Sequence, residues 1–246
     1  MNNNSCTTQI IHSLKLRGDE TRATHFLRFF KTGKGQYGEG DKFLGITVPV
    51  VRSIAKQYYQ DCPLADIEIL LSNPLHEIRL TGLIIMTYQY PKLSENDKYT
   101  YYQFYVNHAE QINNWDLVDL SAPKIVGAQL LANPDERVIL TQLATSPNLW
   151  RRRIAVLAAY PLIKAGQFDE ILRLTKILLY DKQDLMHKAV GWMLREVGKK
   201  DMGVLIDFLN QNAHLMPRTM LRYAIEKLPE PQRQSYLKIK QRKVNT

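Results

Sequence analysis

The 246-residue sequence predicts an all-α protein built from stacked helix pairs. Three observations carry this prediction. Apolar residues recur at helical spacing along nearly the whole chain, convincing period-2 strands are missing, and clusters of Asn, Pro and Ser break the pattern every few tens of residues.

In chain order, Ile67, Ile69, Leu70 and Leu71 share a helix face, as do Leu83, Ile84 and Met86. Leu140 with Leu143, Ile154 with Val156 and Leu157, Ile171 through Leu178, and Leu205 through Leu209 read the same way. The breaks fall at Ser72-Asn73-Pro74, Asn133-Pro134, Ser146-Pro147-Asn148, Tyr180-Asp181 and Met216-Pro217.

Breaks at this interval point to an internal repeat. Four similar segments start at Glu77, Leu117, Arg151 and Met186. Each has a polar or charged residue, then an apolar one, then two mostly small residues. Aligned, they make Arg79, Asp119, Arg153 and Lys188 equivalent, 40, 34 and 35 residues apart. Helix pairs of this period, with small residues that allow close approach, predict a superhelical solenoid of HEAT-like pairs spanning residues 1–246 as one domain. In such a stack, equivalent positions form a column on one face. A degenerate fifth unit fits Leu215 to Leu228, and the basic tail Lys238 to Thr246 is expected to fray. Any all-helical chain yields loose self-matches, so the pattern speaks more directly for helix pairs than for a curved solenoid.

Composition narrows the class. Hydrophobic residues make up 45% of the chain, enough for a sizeable core, and no apolar run reaches a membrane-spanning length. Met1 to Thr8 lacks a signal-peptide profile. Cys6 and Cys62 make no disulfide framework, and neither has a metal-ligand spacing, so a reducing, cytoplasmic setting is expected. The net charge of +9 is unevenly spread: residues 1–123 hold 12 Lys+Arg against 13 Asp+Glu, and residues 124–246 hold 21 against 11. A basic second half suits a polyanionic partner, because each cation placed on a phosphate releases condensed counterions. It also suits a merely solvated basic surface.

One acid stands in the column of bases. On a surface that only bound phosphates, Asp119 would repel its ligand. Trp115 lies four residues earlier and so shares its helix face, while Trp192 follows Lys188 by four. Two indoles and a carboxylate beside cations form a site able to receive positive charge. The same residues also fit a structural reading, with Asp119 paired to Arg153 or Lys188 and the indoles in the core. Arg151, Arg152 and Arg153 diverge by about 100° per residue around a helix. Only Arg153 therefore joins the column, and Arg152 is expected to reach solvent or a flanking phosphate.

Other signatures carry little. Gly33 to Gly38 matches the spelling of a dinucleotide-binding turn but follows an aromatic helical stretch, so it reads as a flexible connector. His12, His25, His76, His108, His187 and His214 show no metal-ligand pairing, and neither a metal nor a cofactor is expected.

Four segments together resemble the HEAT-like-repeat DNA glycosylases of alkylation repair, the AlkD-like family. They are Phe29 to Ile46, Asn114 to Asp119, Asn148 to Val156 and Lys188 to Glu196, in family order. The resemblance implies hydrolysis of the N-glycosidic bond of cationic N3- or N7-alkylpurines in double-stranded DNA by a monomer. It further implies that Trp115, Asp119 and Trp192 are the catalytic trio and that Arg153 contacts the DNA backbone. Lys188, Arg79 and Arg152 complete the expected DNA-binding set. Two departures are visible: Asn114 stands where some members carry a second tryptophan, and Phe29 or Phe30 stands roughly where some carry a tyrosine. Two other readings fit the pattern, a catalytically silent DNA-binding solenoid and a HEAT-type protein-interaction scaffold.

Overall fold

Helices begin where a short polar side chain can satisfy the orphan amides of a first turn. Ser5, Asp19, Ser94, Asn148 and Asp201 each cap a helix by accepting from the backbone N–H of Thr8, Arg22, Asp97, Trp150 and Val204 respectively. A computed structural model of the chain describes residues 5–240, so most of the tail expected to fray, from Gln241 on, lies outside the described residues. Among the described residues there is no β-strand, only an isolated parallel bridge between Lys42 and Leu75.

The chain divides into two compact units, one ending at Gln129 and the other beginning at Leu130. The first holds α1 (Cys6–Lys15), α2 (Glu20–Phe29), α3 (Val48–Tyr58), α4 (Leu64–Leu71), α5 (His76–Gln89), α6 (Glu95–Asn107) and α7 (Trp115–Ser121). Helix α8 (Val126–Ala132) crosses the division. The second unit holds α9 (Val138–Ala144), α10 (Leu149–Ala158), α11 (Tyr160–Lys164), α12 (Asp169–Leu178), α13 (Asp184–Lys200), α14 (Met202–Asn212), α15 (Arg218–Ala224) and α16 (Glu230–Lys238).

The apolar faces read from the sequence lie in α4, α5, α9, α10, α12 and α14, and the predicted breaks lie between helices. The four repeat segments fall in α5, α7, α10 and α13. Three of these pack on the helix before them, as the pairs α4–α5, α9–α10 and α12–α13. The expected fifth unit contributes α15, which packs against α13. There the small residue is indispensable: a Cβ on Gly191 would sit 2.5 Å from the Met220 carbonyl oxygen and 2.6 Å from Tyr223 Cβ.

Two helices are enclosed on all sides. In α5, the run from His76 to Thr87 is buried, including five polar or charged side chains. In α10, the stretch Arg153 to Ala158 is buried likewise. A helix apolar around most of its circumference belongs in a core, and any charged residue it carries must find its partner inside. Helices α7 and α13, by contrast, keep a half-open stripe.

Candidate active site

The short helix α7 is anchored at its first turn by a buried polar network. Asn114, fully buried, accepts from the Trp115 backbone N–H (2.9 Å) and donates through Nδ2 to Asp41 (3.1 Å). Asp41 also accepts from Arg79 (2.6 Å) and from His76 Nδ1 (2.9 Å). The other ring nitrogen of His76 donates to Asp116 at 2.8 Å. An unbroken chain, Arg79–Asp41–His76–Asp116, thus ends one residue from Trp115 and three from Asp119.

Burial alone would keep the His76 ring neutral, but its hydrogen bonds to Asp116 and Asp41 outweigh this and push its pKa up to about 9. Burial would likewise protonate Asp41, yet the His76 and Arg79 partners hold its carboxyl at about 2. The network is therefore an imidazolium and a guanidinium shared between two carboxylates, nearly neutral in sum.

Aromatic rings supply the second support for α7. Phe30 stacks on the Trp115 indole with centroids 5.5 Å apart, and Phe29 meets it edge-on at 5.8 Å. Phe30 also stacks on Phe43 at 4.9 Å, and Phe43 on the His76 ring at 4.7 Å. The glycine-rich segment makes this possible. It forms an exposed turn satisfied by its own side chains: Gln36 accepts from Gly33 N–H and Glu39 from Gly35 N–H. It then delivers Asp41 and Phe43 inward. Glu77 holds the following strand-like stretch by accepting the backbone N–H groups of Leu44, Gly45 and Ile46 at 2.8–3.1 Å. Gly45 has φ +78°, and a Cβ there would lie 2.1 Å from the Asp19 carbonyl oxygen. The segment read as a flexible connector is a positioning device.

Above this base, Trp115 and Asp119 are both partly exposed on α7, one turn apart. The Asp119 charge acts on the buried Tyr105 phenol, whose pKa burial pushes up and whose hydroxyl pairs with Ser121 at 2.7 Å.

The remaining expected residues lie in the second unit, except Arg79. Trp192, partly exposed on α13, donates from Nε1 to Glu196 at 3.2 Å. Glu196 is buried and also receives Lys199 at 2.6 Å and Lys164 at 3.8 Å. Lys188 is on the same helix, its side chain 40% exposed and paired to Asp184 one turn earlier at 2.8 Å.

Two expected phosphate contacts require correction, and a third, Arg152, is partly exposed and already paired. Arg79 is 5% exposed and spends its guanidinium on Asp41 and the Asn73 carbonyl oxygen. Arg153 is 4% exposed and donates to the Leu185 carbonyl oxygen at 3.0 Å. Arg152 pairs with Asp181 at 2.6 Å and donates to the carbonyl oxygens of Ser146 and Pro147. The column was inferred as an open face, but Arg79 and Arg153 stand on enclosed stretches of α5 and α10 and are turned to internal acceptors. Of the four expected cations, Lys188 stands at the surface.

Sequence reasoning missed Asp41, His76, Asp116 and Glu196 as supports. Asp41 and Asp116 are 75 positions apart, and no local motif joins them.

Comparison with known proteins agrees with this architecture. The chain is similar in structure to an Enterococcus faecalis protein described as a predicted DNA alkylation repair enzyme, at 17% identity and a TM-score of 0.71, covering 87% of this chain and 98% of that one. It is also similar to AlkD2 from Streptococcus mutans, at 16% identity and a TM-score of 0.53, covering 92% and 100%. A third similar structure is smu.31 from Streptococcus mutans UA159, at 17% identity and a TM-score of 0.52, covering 89% and 96%. These likenesses establish the fold. No curated protein matches the chain. The profile of the DNA alkylation repair enzyme family matches residues 10–228, most of the sequence. The chain belongs to the DNA alkylation repair enzyme family.

Proposed function

We propose that this protein is a monofunctional DNA glycosylase that hydrolyses the N-glycosidic bond of cationic N3- and N7-alkylpurines in duplex DNA. The observation that carries the reading is the pairing on α7 of a partly exposed carboxylate, Asp119, with a partly exposed indole, Trp115, on a helix whose first turn is locked from beneath. Family membership implies binding to DNA.

The chemistry suits a carboxylate without a strong general acid. An alkylated purine already carries positive charge, so when the C1′–N bond breaks the electron pair goes to the base, which departs neutral. Positive charge develops on the deoxyribose instead. Asp119 is assigned to stabilise that oxocarbenium-like sugar and to orient the water whose oxygen attacks C1′. Trp115 and Trp192 are assigned to contact the cationic base and sugar through their ring faces. Phosphate contact is assigned to surface cations such as Lys188, which fix register without reading sequence.

The test is release of 7-methylguanine from methylated duplex DNA by the wild type and by Asp119→Asn. Loss of release by about a hundredfold or more, with binding retained, is the expected result. Binding without release by either protein would replace the enzyme with a silent binder. Failure to bind duplex DNA even at low salt would leave a protein-interaction scaffold.

A further inference from the structure

Outside the α7 region, the fold brings together three side chains that the sequence keeps far apart. Cys6 opens α1, Cys62 sits in the turn before α4, and Asp66 lies in the first turn of α4. Their sulphur and carboxylate oxygen atoms all lie within 4.8 Å of one another, and the two thiols share a hydrogen bond. We propose that Cys6, Cys62 and Asp66 form a binding site for a zinc-class divalent cation, completed by a water, which ties the start of α1 to the start of α4.

Geometry supports a metal ion over a simple thiol pair. In a tetrahedral zinc centre with Zn–S bonds near 2.3 Å, two sulphur ligands stand about 3.8 Å apart. Closing the observed triangle onto such a centre needs side-chain shifts of about an ångström at most. A disulfide would draw the sulphurs to about 2.05 Å and leave the carboxylate beside them with no part to play. A third donor of carboxylate type is what a borderline-soft divalent ion uses and a disulfide does not.

Electrostatics point the same way. Asp66 and Asp61 both act on Cys6, so the local field is negative and favours a cation. The frame is preformed: Thr7 donates from Oγ1 to the Asp66 carbonyl oxygen at 3.4 Å, joining the two helices beside the site. Cys62 is 1% exposed, while Cys6 and Asp66 are partly open, so an ion can enter without disturbing the core.

The experiment uses the full chain, fully reduced and stripped with a chelator, titrated with cobalt(II) and then with zinc. One equivalent of cobalt is expected to bind with thiolate-to-cobalt charge-transfer absorption, and zinc is expected to displace it. Cys6→Ser and Asp66→Asn, at partly exposed positions that spare the core, should each weaken binding by roughly tenfold or more. Cys62→Ser should remove it. Zinc should raise the thermal midpoint of the wild type by more than that of Cys6→Ser. Cobalt binding without the charge-transfer band, or binding by Cys6→Ser as tight as the wild type's, overturns the site. Failure of the reduced chain to bind, with the two cysteines joined as a disulfide in air, overturns it in favour of a redox pair.

Discussion

Helices α5 and α13 occupy equivalent places in the repeat and treat the aligned basic residue in opposite ways. On α5, Arg79 is sealed inside against Asp41. On α13, Lys188 stays at the surface, its side chain 40% exposed and paired to Asp184 one turn earlier. The difference follows from how much of each helix's circumference is buried, an unbroken run from His76 to Thr87 on α5 and an interrupted face on α13. A helix covered on every side converts an aligned cation into an internal ion pair, whereas one with an open stripe leaves it for a ligand. Repeat alignment identifies equivalent positions along the chain but not which of them meet solvent.

The sharpest way to break this contrast is to remove the internal partner. Asp41→Ala leaves the buried Arg79 guanidinium without its carboxylate and His76 with Asp116 alone, and should lower unfolding stability by about 3–5 kcal/mol. Lys188→Ala should change stability by no more than about 0.5 kcal/mol. Urea unfolding of the two variants side by side decides whether the two helices differ as described.

Close packing offers a second comparison. Gly191→Ala forces a Cβ against backbone on α15 and should cost about 1–3 kcal/mol. Gly82→Ala, whose Cβ would meet Leu70 Cβ at 3.2 Å, should cost less, because the approach asks the neighbour to give by only a few tenths of an ångström. Equal losses in thermal or urea unfolding would mean that α5 is as tightly seated as α13.

The first unit should also show a pH signature that the second lacks. His76 has a pKa raised from 6.5 to about 9, so its contribution to stability is complete below pH 6.5 and is lost as pH rises through 9. Asp41 is lowered from 3.8 to about 2, so its contribution is present above pH 3.8 and is lost as pH falls toward 2. Urea midpoints measured against pH should therefore fall on the alkaline side in the wild type. In His76→Gln that alkaline fall should be absent.

The smallest expected effect concerns DNA. Lys188→Ala should weaken binding to damaged and undamaged duplex alike and reduce the salt slope by about 1. Arg79→Ala should leave the salt slope of the folded protein unchanged. A reduced slope for Arg79→Ala, measured by binding titrations at several salt concentrations, would return that residue to the phosphate-contact set.

Much of the fold was legible in the sequence because its signals are local. The apolar period marks α4, α5, α9, α10, α12 and α14, and Asn-Pro or Ser-Pro clusters mark the ends of α4 and α9. The Trp115–Asp119 pairing was legible for the same reason, since four residues make one helical turn. What supports that pair was not. Asp41 meets His76 across 35 positions and Asn114 across 73, and only the finished chain path brings them together. The histidines were set aside for lacking metal-ligand spacing, yet His76 serves as the cation between two acids. Cys6 and Cys62 were set aside in the same way, because spacing rules describe neighbours in sequence and these two meet only in space.

Asn114 does two things at once: one end of its amide caps α7 and the other reaches Asp41. A bulky indole at position 114 would abolish both links and overfill a fully buried spot. Such a replacement would also cost Asp41 one of its donors, so residue 41 would have to change in concert with residue 114. Grafting experiments on this scaffold should be designed as double replacements from the outset.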